Sequence, residues 1–366
     1  MIETEKKFQK FIKEIKRTDK VAILFHSDAD GATSAVIVAK TIERLRKKKI
    51  GLYFSQGLDY PLTEGTVKLL RQKNITKFIV VDQAVDVKPE MILAIEAFAD
   101  VLILDHHTLS NDVNSKKTIL FKAQMQDGCK NMYYPCAKFV YDICGKLTNI
   151  DDLDWVACMG ILSDMGYKEW KEFVDSALQK HHFAVPERIL DCEFGKAANL
   201  INAAKTYSAD KLPECFDVLY AAKSALDVLD SNLKAYKKEV EEEMNQWIYP
   251  FKEEDHKIAN GLVLYEVKPK FVMHSPLSTI ISVDYMKRNT LVVVADYGKD
   301  MLYLSARRQD KKIAVNYLLE KAVDGLEKAN GGGHPAAAGG NILKKDYAVF
   351  KQRLLAIHQE LLEESS

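Results

Sequence analysis

The chain has no excess of charge of either sign: Lys+Arg and Asp+Glu each number 52 across 366 residues. No global basic field therefore announces a nucleic-acid partner, although a local basic groove is enough for one. No apolar run approaches membrane-spanning length, which excludes a spanning helix. No secretory leader is legible in the charged, amphipathic opening MIETEKKFQKF. The six cysteines (Cys129, Cys136, Cys144, Cys158, Cys192 and Cys215) are scattered, with no C-x-x-C spacing. Most sit in apolar contexts, so they read as buried reduced thiols of a cytoplasmic protein. Nor is there a Gly/Ser-rich linker, so any connection between domains is expected to be semi-rigid. What remains, 47% hydrophobic and 28% charged, suits a globular chain long enough for two or three domains with proper cores.

The most informative stretch is VAILFHSDADGATSA, residues 21–35. Its apolar start reads as a buried strand, and His26, Asp28 and Asp30 follow at alternate positions. Gly31 permits a sharp turn, and a helix is expected from about 32 to 48. Alternation places the three polar side chains on one side of an extended segment. Two carboxylates and an imidazole crowded together suit a divalent metal site. The competing reading is a polar loop whose Asp residues cap the helix. The cationic helix end, residues 44–49, complements the helix dipole, with a polynucleotide track as the alternative.

The same pattern recurs. Strands are expected at 78–81, ending in Asp82, and at 101–104, ending in Asp105-His106-His107, with helices around 61–73 and 88–98 between them. This β-α-β-α-β rhythm implies a parallel sheet, and such sheets bind ligands outside their carboxyl ends. A further strand is read at 119–121, a helix at 135–146, and another at 154–162 that leads into Asp164. From about 167 to 250 the pattern is helical. Leu219, Ala222, Leu226, Leu229, Leu233, Tyr236 and Val240 form a heptad seam. It reads as one long helix packed on its own protein or, alternatively, as a coiled coil over 214–248 with a second copy or a replication or repair partner. After about 256, strands at 261–267, 291–296 and 302–307 and a helix at 312–328 point to a smaller α/β domain. A loop, GGGHPAAAGG (residues 331–340), ends it; its small residues would let backbone N–H groups approach an anion, with His334 adding a donor. The fold class is α/β: an N-terminal parallel-sheet domain (1–175), a helical connector (176–255) and a smaller C-terminal α/β domain (256–366).

HSDADGATS, the strand-end Asp82, the Asp105-His106-His107 triplet and Asp164 occur in the order found in DHH-family phosphoesterases. GGGHPAAAGG and Ser305-Ala306-Arg307 resemble the signatures of the DHH-associated C-terminal domain. The chain resembles the RecJ branch of that family, a compact archaeal type, in its D-x-D-G-x-T-S form and in the segment Ile201-Asn202-Ala203-Ala204. It departs from that branch at Lys205-Thr206, where Gly-Arg is usual, and at Ala84, where Gly is frequent. The resemblance implies two divalent ions, Mn²⁺ with Mg²⁺ as an alternative. His26, Asp28 and Asp82 would hold one; Asp30, Asp82, His106 and Asp164 would hold the other. It implies that Asp105 fixes the tautomer of a neighbouring His and that His107 faces the phosphate. Arg307, Gly332, Gly333 and His334 would grip substrate. The implied reaction is hydrolysis of single-stranded DNA or RNA from an end by a hydroxide activated between the two ions. The alternatives are hydrolysis of a small nucleotide (a cyclic dinucleotide, a very short RNA or a 3′,5′-bisphosphate) and an inactive replication scaffold.

Overall fold

A computed structural model describes residues 3–55, 62–126, 133–286 and 288–364. Two compact units divide the chain, residues 1–237 and 238–366.

The first unit opens with α1 (Glu3–Glu14) and β1 (Val21–Phe25), followed by α2 (Ala29–Arg46) and β2 (Leu52–Ser55). Next come α3 (Glu64–Gln72), β3 (Lys77–Val81), α4 (Pro89–Glu96), β4 (Asp100–Asp105) and β5 (Thr118–Lys122). The five strands form one parallel sheet in the order β2-β1-β3-β4-β5. Alternate strand residues face two different layers, as the two-residue period of a strand requires. Val21, Ile23, Phe25, Ile79 and Val81 pack with α1 and α2, whereas Ala22, Leu24, Phe78 and Val80 pack with α3 and α4. Burial on both faces explains why these strands read as continuous apolar runs. The chain goes from β1 outward to β2 and then returns to β3 on the other side of β1. The strand order thus reverses between β1 and β3, and their carboxyl ends flank that switch point.

A helical layer completes the unit: α5 (Cys136–Gly145), α6 (Asp154–Ser163), α7 (Tyr167–Lys180), α8 (Glu193–Tyr207), α9 (Leu212–Ala221) and α10 (Ala225–Leu229). The expected continuous helix over 214–248 is not found. Ala222 leaves the helical region (φ −63°, ψ 146°), and Ser224 then starts α10 with a reciprocal capping box to Asp227. Another break precedes α11 (Leu233–Ile248). The heptad spacing runs across these breaks, so its residues do not form one stripe: Leu219 and Leu233 are buried, but Leu226 is 53% exposed. Local capping chemistry overrode the periodic pattern.

The second unit continues through α12 (Glu253–His256), β6 (Lys257–Ala259), β7 (Leu262–Val267), α13 (His274–Asp284), β8 (Thr290–Asp296) and β9 (Met301–Arg307). It ends with α14 (Val315–Val323), β10 (Asn330–His334), β11 (Ala337–Leu343) and α15 (Tyr347–Glu364). Its sheet is mixed, in the order β10-β11-β9-β8-β7-β6, with only β7 and β8 parallel. The glycine-rich stretch expected as a loop is this sheet's β10-β11 hairpin. Gly333, at φ +138°, lies where a Cβ would come within 2.6 Å of Ala337 O, so the tight hairpin demands glycine there. The sheet separates a core against α14 and α15 from another against α11 and α13. Five described cysteines are buried and free, while Cys129 lies outside the described residues. Among the described residues, no helix is long and apolar enough to cross a membrane.

Candidate metal centre

The strand ends of the first unit converge. Beyond β1, Asp28 is extended (φ −124°, ψ −174°), and its Oδ1 accepts from Gly31 N at 3.0 Å, capping α2. Its other oxygen lies 2.7 Å from His26 Nδ1. The cap and the polar cluster therefore use different oxygens of one carboxylate: the capping reading holds, and the second oxygen remains turned to the cluster. A Cβ on Gly31 would come within 2.4 Å of His26 O, so this turn excludes any other residue. The helix begins at Ala29, three residues earlier than expected, which places Asp30 inside the first turn of α2. Asp30 is buried, and its two oxygens each accept a backbone N–H, from Cys136 and Ala137 at 2.8 Å. These are amides at the N-terminus of α5, donors that a helix leaves unpaired.

Asp82 follows β3 in the left-handed region (φ 59°) and is 2% exposed. One of its oxygens is 3.6 Å from His26 Nδ1; the other is 3.2 Å from His106 Nε2 and has no hydrogen-bond partner. The other ring nitrogen of His106 is 3.7 Å from Asp164, at the end of α6. His26, Asp28 and Asp82 form one group whose ligand atoms lie within 4.8 Å of one another. Asp30, His106 and Asp164 form another, and Asp82 with His106 and His107 a third.

Electrostatics reflects this crowding. Burial alone would lower the pKa values of His26 and His106, but the carboxylates around them win. Asp28 and Asp82 raise His26 to about 10, and Asp82 with Asp30 raises His106 to about 10. Burial and then the charge of Asp82 push Asp30 well above the usual carboxylate range. Burial also raises Asp164, against the hydrogen bond from Tyr133. Asp28 is held at about 2 by His26 despite its burial. Protons on the imidazoles thus do what a cation would do. A buried carboxylate oxygen without a donor and a mixed carboxylate–imidazole set fit divalent ions of the Mn²⁺ and Mg²⁺ kind.

Asp105, fully buried, accepts from His107 Nδ1 at 2.7 Å, so the neighbouring His that it orients is His107. This bond raises the pKa of His107, while His107 and Lys122 hold Asp105 well below the usual range against its burial. In the second unit, Arg307, Ala337 and His334 occupy one row across β9, β11 and β10. Arg307 donates to Ser275 Oγ at 3.0 Å and Thr279 Oγ1 at 3.3 Å, and His334 is exposed. Gly332 and Gly333 lie on β10 beside it.

Several supporting roles are not legible in the sequence. Asn202 on α8 accepts from Ala29 N at 3.0 Å and donates to Ser163 Oγ at 3.2 Å, tying the first motif to the end of α6. The segment 201–204 stands out in the sequence, but this contact does not. Tyr133 OH donates to Asp164 at 2.7 Å. Lys205, one turn beyond Asn202, is half-buried, and its burial lowers its pKa against the pull of Asp28 and Asp82. Lys122 and Gln124 reach the Asp105–Thr108 segment from the end of β5.

Comparison with known proteins matches the DHH family, N-terminal domain, over residues 20–161 and the DHHA1 domain over residues 277–363. The chain is similar to the single-stranded-DNA-specific exonuclease RecJ of Bacillus subtilis, with 26% identity over 161 residues, 41% of this chain and 20% of that protein. Among solved structures, RecJ from Thermus thermophilus in complex with Mn²⁺ superposes with a TM-score of 0.71 at 16% identity, covering 98% of this chain and 55% of that one. An exonuclease RecJ bound to manganese superposes at 0.68 and 17% identity, covering 98% and 94%. The chain therefore spans a fifth of the Bacillus protein and about half of the Thermus one. By these matches and by its architecture, the chain belongs to the DHH family, with a RecJ-like fold built from a DHH and a DHHA1 domain.

Proposed function

We propose that the protein is a metal-dependent phosphodiesterase that hydrolyses single-stranded nucleic acid from an end. The observation that carries this reading is the sharing of Asp82 between a group with His26 and Asp28 and a group with His106 and His107, His106 in turn grouping with Asp30 and Asp164. His26, Asp28 and Asp82 would hold one divalent ion, Mn²⁺ by the chemistry of the imidazoles, and Asp30, Asp82, His106 and Asp164 the other. When bound, such ions supply an activated water at neutral pH and charge neutralisation at the phosphate. The chain's own residues do the rest. Asp105 fixes Nδ1 of His107, which leaves Nε2 free on a side chain 42% exposed to solvent. The hydrogen bond to Asp105 shifts the ring towards its doubly protonated form, in which Nε2 can donate to an oxygen of the transferring phosphoryl group. Arg307, prealigned by Ser275 and Thr279, and His334 would bind substrate phosphate or sugar, with Gly332 and Gly333 leaving the nearby backbone accessible. The names of the similar proteins support a polynucleotide substrate over a small nucleotide.

A polymer substrate should gain kcat/KM with length and lose it steeply with salt, because each phosphate contact releases counterions. Strands of two, five, ten and twenty nucleotides, assayed with Mn²⁺ at two salt concentrations and labelled at either end, make the test. A maximum at two nucleotides with a shallow salt slope would instead identify a small-nucleotide enzyme.

A further inference from the structure

Lys122 is only 1% exposed, although it ends its strand with a charged side chain. It is the direct cross-strand partner of Asp105, in the parallel pairing of β4 with β5. Its ammonium lies 2.6 Å from Asp105 Oδ2 and 3.0 Å from Asp86 Oδ1, and it donates to the carbonyls of His107 at 3.1 Å and Thr108 at 3.3 Å. Asp86 in turn accepts from the backbone of Ser110 at 2.7 Å and Asn111 at 3.3 Å. Two residues further along, Gln124 donates to the carbonyl of His106. The segment from His106 to Asn111 is therefore held at one end by Gln124 and Lys122 and at the other by Asp86, which contacts the same buried cation.

Burying an ammonium is costly unless its donors are met. Here the three donors meet Asp105 and two carbonyls, and Asp86 adds a second carboxylate as an ion pair. This arrangement does more than fill space, because Asp105 is shared: one oxygen takes Lys122 and the other takes Nδ1 of His107. A compact ammonium can approach both carboxylates and both carbonyls at once, whereas a planar guanidinium could not.

We propose that Lys122 is a positioning residue for His107: it anchors Asp105 and the His107–Thr108 backbone so that the imidazole keeps Nδ1 protonated and one orientation toward the substrate. The proposal rests on the hydrolytic reading above for its effect on turnover, though not for its effect on the ring.

The test is a double-mutant cycle in the full chain with Mn²⁺ and a ten-nucleotide strand. Lys122→Met should lower kcat by about tenfold or more while leaving KM and Mn²⁺ affinity within about twofold. In a His107→Ala background the same change should lower kcat by less than about twofold, since the group it positions is gone. An equal loss in both backgrounds would overturn the proposal and leave Lys122 a structural residue. Should Lys122→Met not fold, the charge-balanced Lys122→Met/Asp86→Asn pair takes its place in the cycle. A second readout needs no turnover: long-range ¹H–¹⁵N spectra with diamagnetic Mg²⁺ should show His107 protonated at Nδ1 in the native chain and averaging between ring forms in the variant. Unchanged His107 signals would refute the positioning role. A native chain that hydrolyses nothing would sink the hydrolytic reading, and the spectra would still decide the role of Lys122.

Discussion

At the strand ends of the first unit, carboxylates and imidazoles crowd together: His26 stands between Asp28 and Asp82, and His106 between Asp82 and Asp164. The second unit arranges its charged groups differently. Arg307 is met by Ser275 and Thr279, Arg308 by Asp310 and Thr290, Asp296 by Lys344, and His358 by Thr290. The first cluster needs protons or cations from outside to be stable, whereas Arg307, Arg308 and Asp296 of the second find partners within their own fold. A region that is not self-sufficient is where a ligand can contribute most to folding, since whatever binds the native state alone stabilises it. Under the proposed function, the cation-dependent chemistry would belong to the first unit and recognition by prealigned donors to the second.

The strongest challenge to this contrast is Asp82→Asn, an isosteric change whose side chain tolerates the left-handed backbone found there. It should cut Mn²⁺-dependent hydrolysis by roughly 10³-fold or more, the scale on which loss of preorganised charge stabilisation is felt. In chelator the variant should melt no lower than the native chain, because a crowded negative charge has been removed. Near-native turnover, or collapse of the metal-free fold, would show that Asp82 is an ordinary structural acid.

Next in size is the linkage between pH and metal. His26 and His106 are raised from 6.5 to about 10, so their contribution to metal-free stability is full below about pH 6.5 and lost as pH rises through 10. The raised pKa of Asp30 acts in the same direction, because its folded form holds a proton that the unfolded chain releases. Tm in chelator should therefore fall between pH 6.5 and 10. With excess Mn²⁺ the fall should vanish, since the ligands then bind as deprotonated groups. Parallel Tm profiles with and without Mn²⁺ would dismiss the site as drawn.

Arg307→Ala sharpens the other half of the contrast. It should raise KM by about tenfold, leave Mn²⁺ affinity unchanged and cost about 1 kcal/mol of stability for its lost hydrogen bonds. A change in Mn²⁺ affinity, measured by titration calorimetry, would contradict the separation of roles. The smallest effect is expected far from both sites: Ser224→Ala removes the cap of α10 and should cost about 1 kcal/mol in denaturant unfolding, with turnover intact.

Much of the site could be read from sequence because its signals are local. Strands β1, β3 and β4 are buried on both faces, so each reads as an apolar run, and the run stops where His26, Asp82 and Asp105 begin. The short, half-buried β2 carried no such signal and was not read. The glycine run stands out in the sequence but its hairpin pairing does not, because glycines with no apolar alternation do not announce a strand. The seam over 219–240 shows the reverse error, a regular spacing that capping at Ser224 interrupts.

The sequence by itself determined which residue types stand at the ends of which strands, since a two-residue period and a turn glycine act over a few positions. Only the tertiary structure decided who meets whom. The sharing of Asp82 depends on β1 and β3 lying side by side, and the pairing of Lys122 with Asp105 depends on the register of β4 against β5. Register is set by packing across the whole sheet. In the strand Thr118–Lys122 a lysine at the end looks like an ordinary solvated terminus until its neighbour is known to be a buried carboxylate.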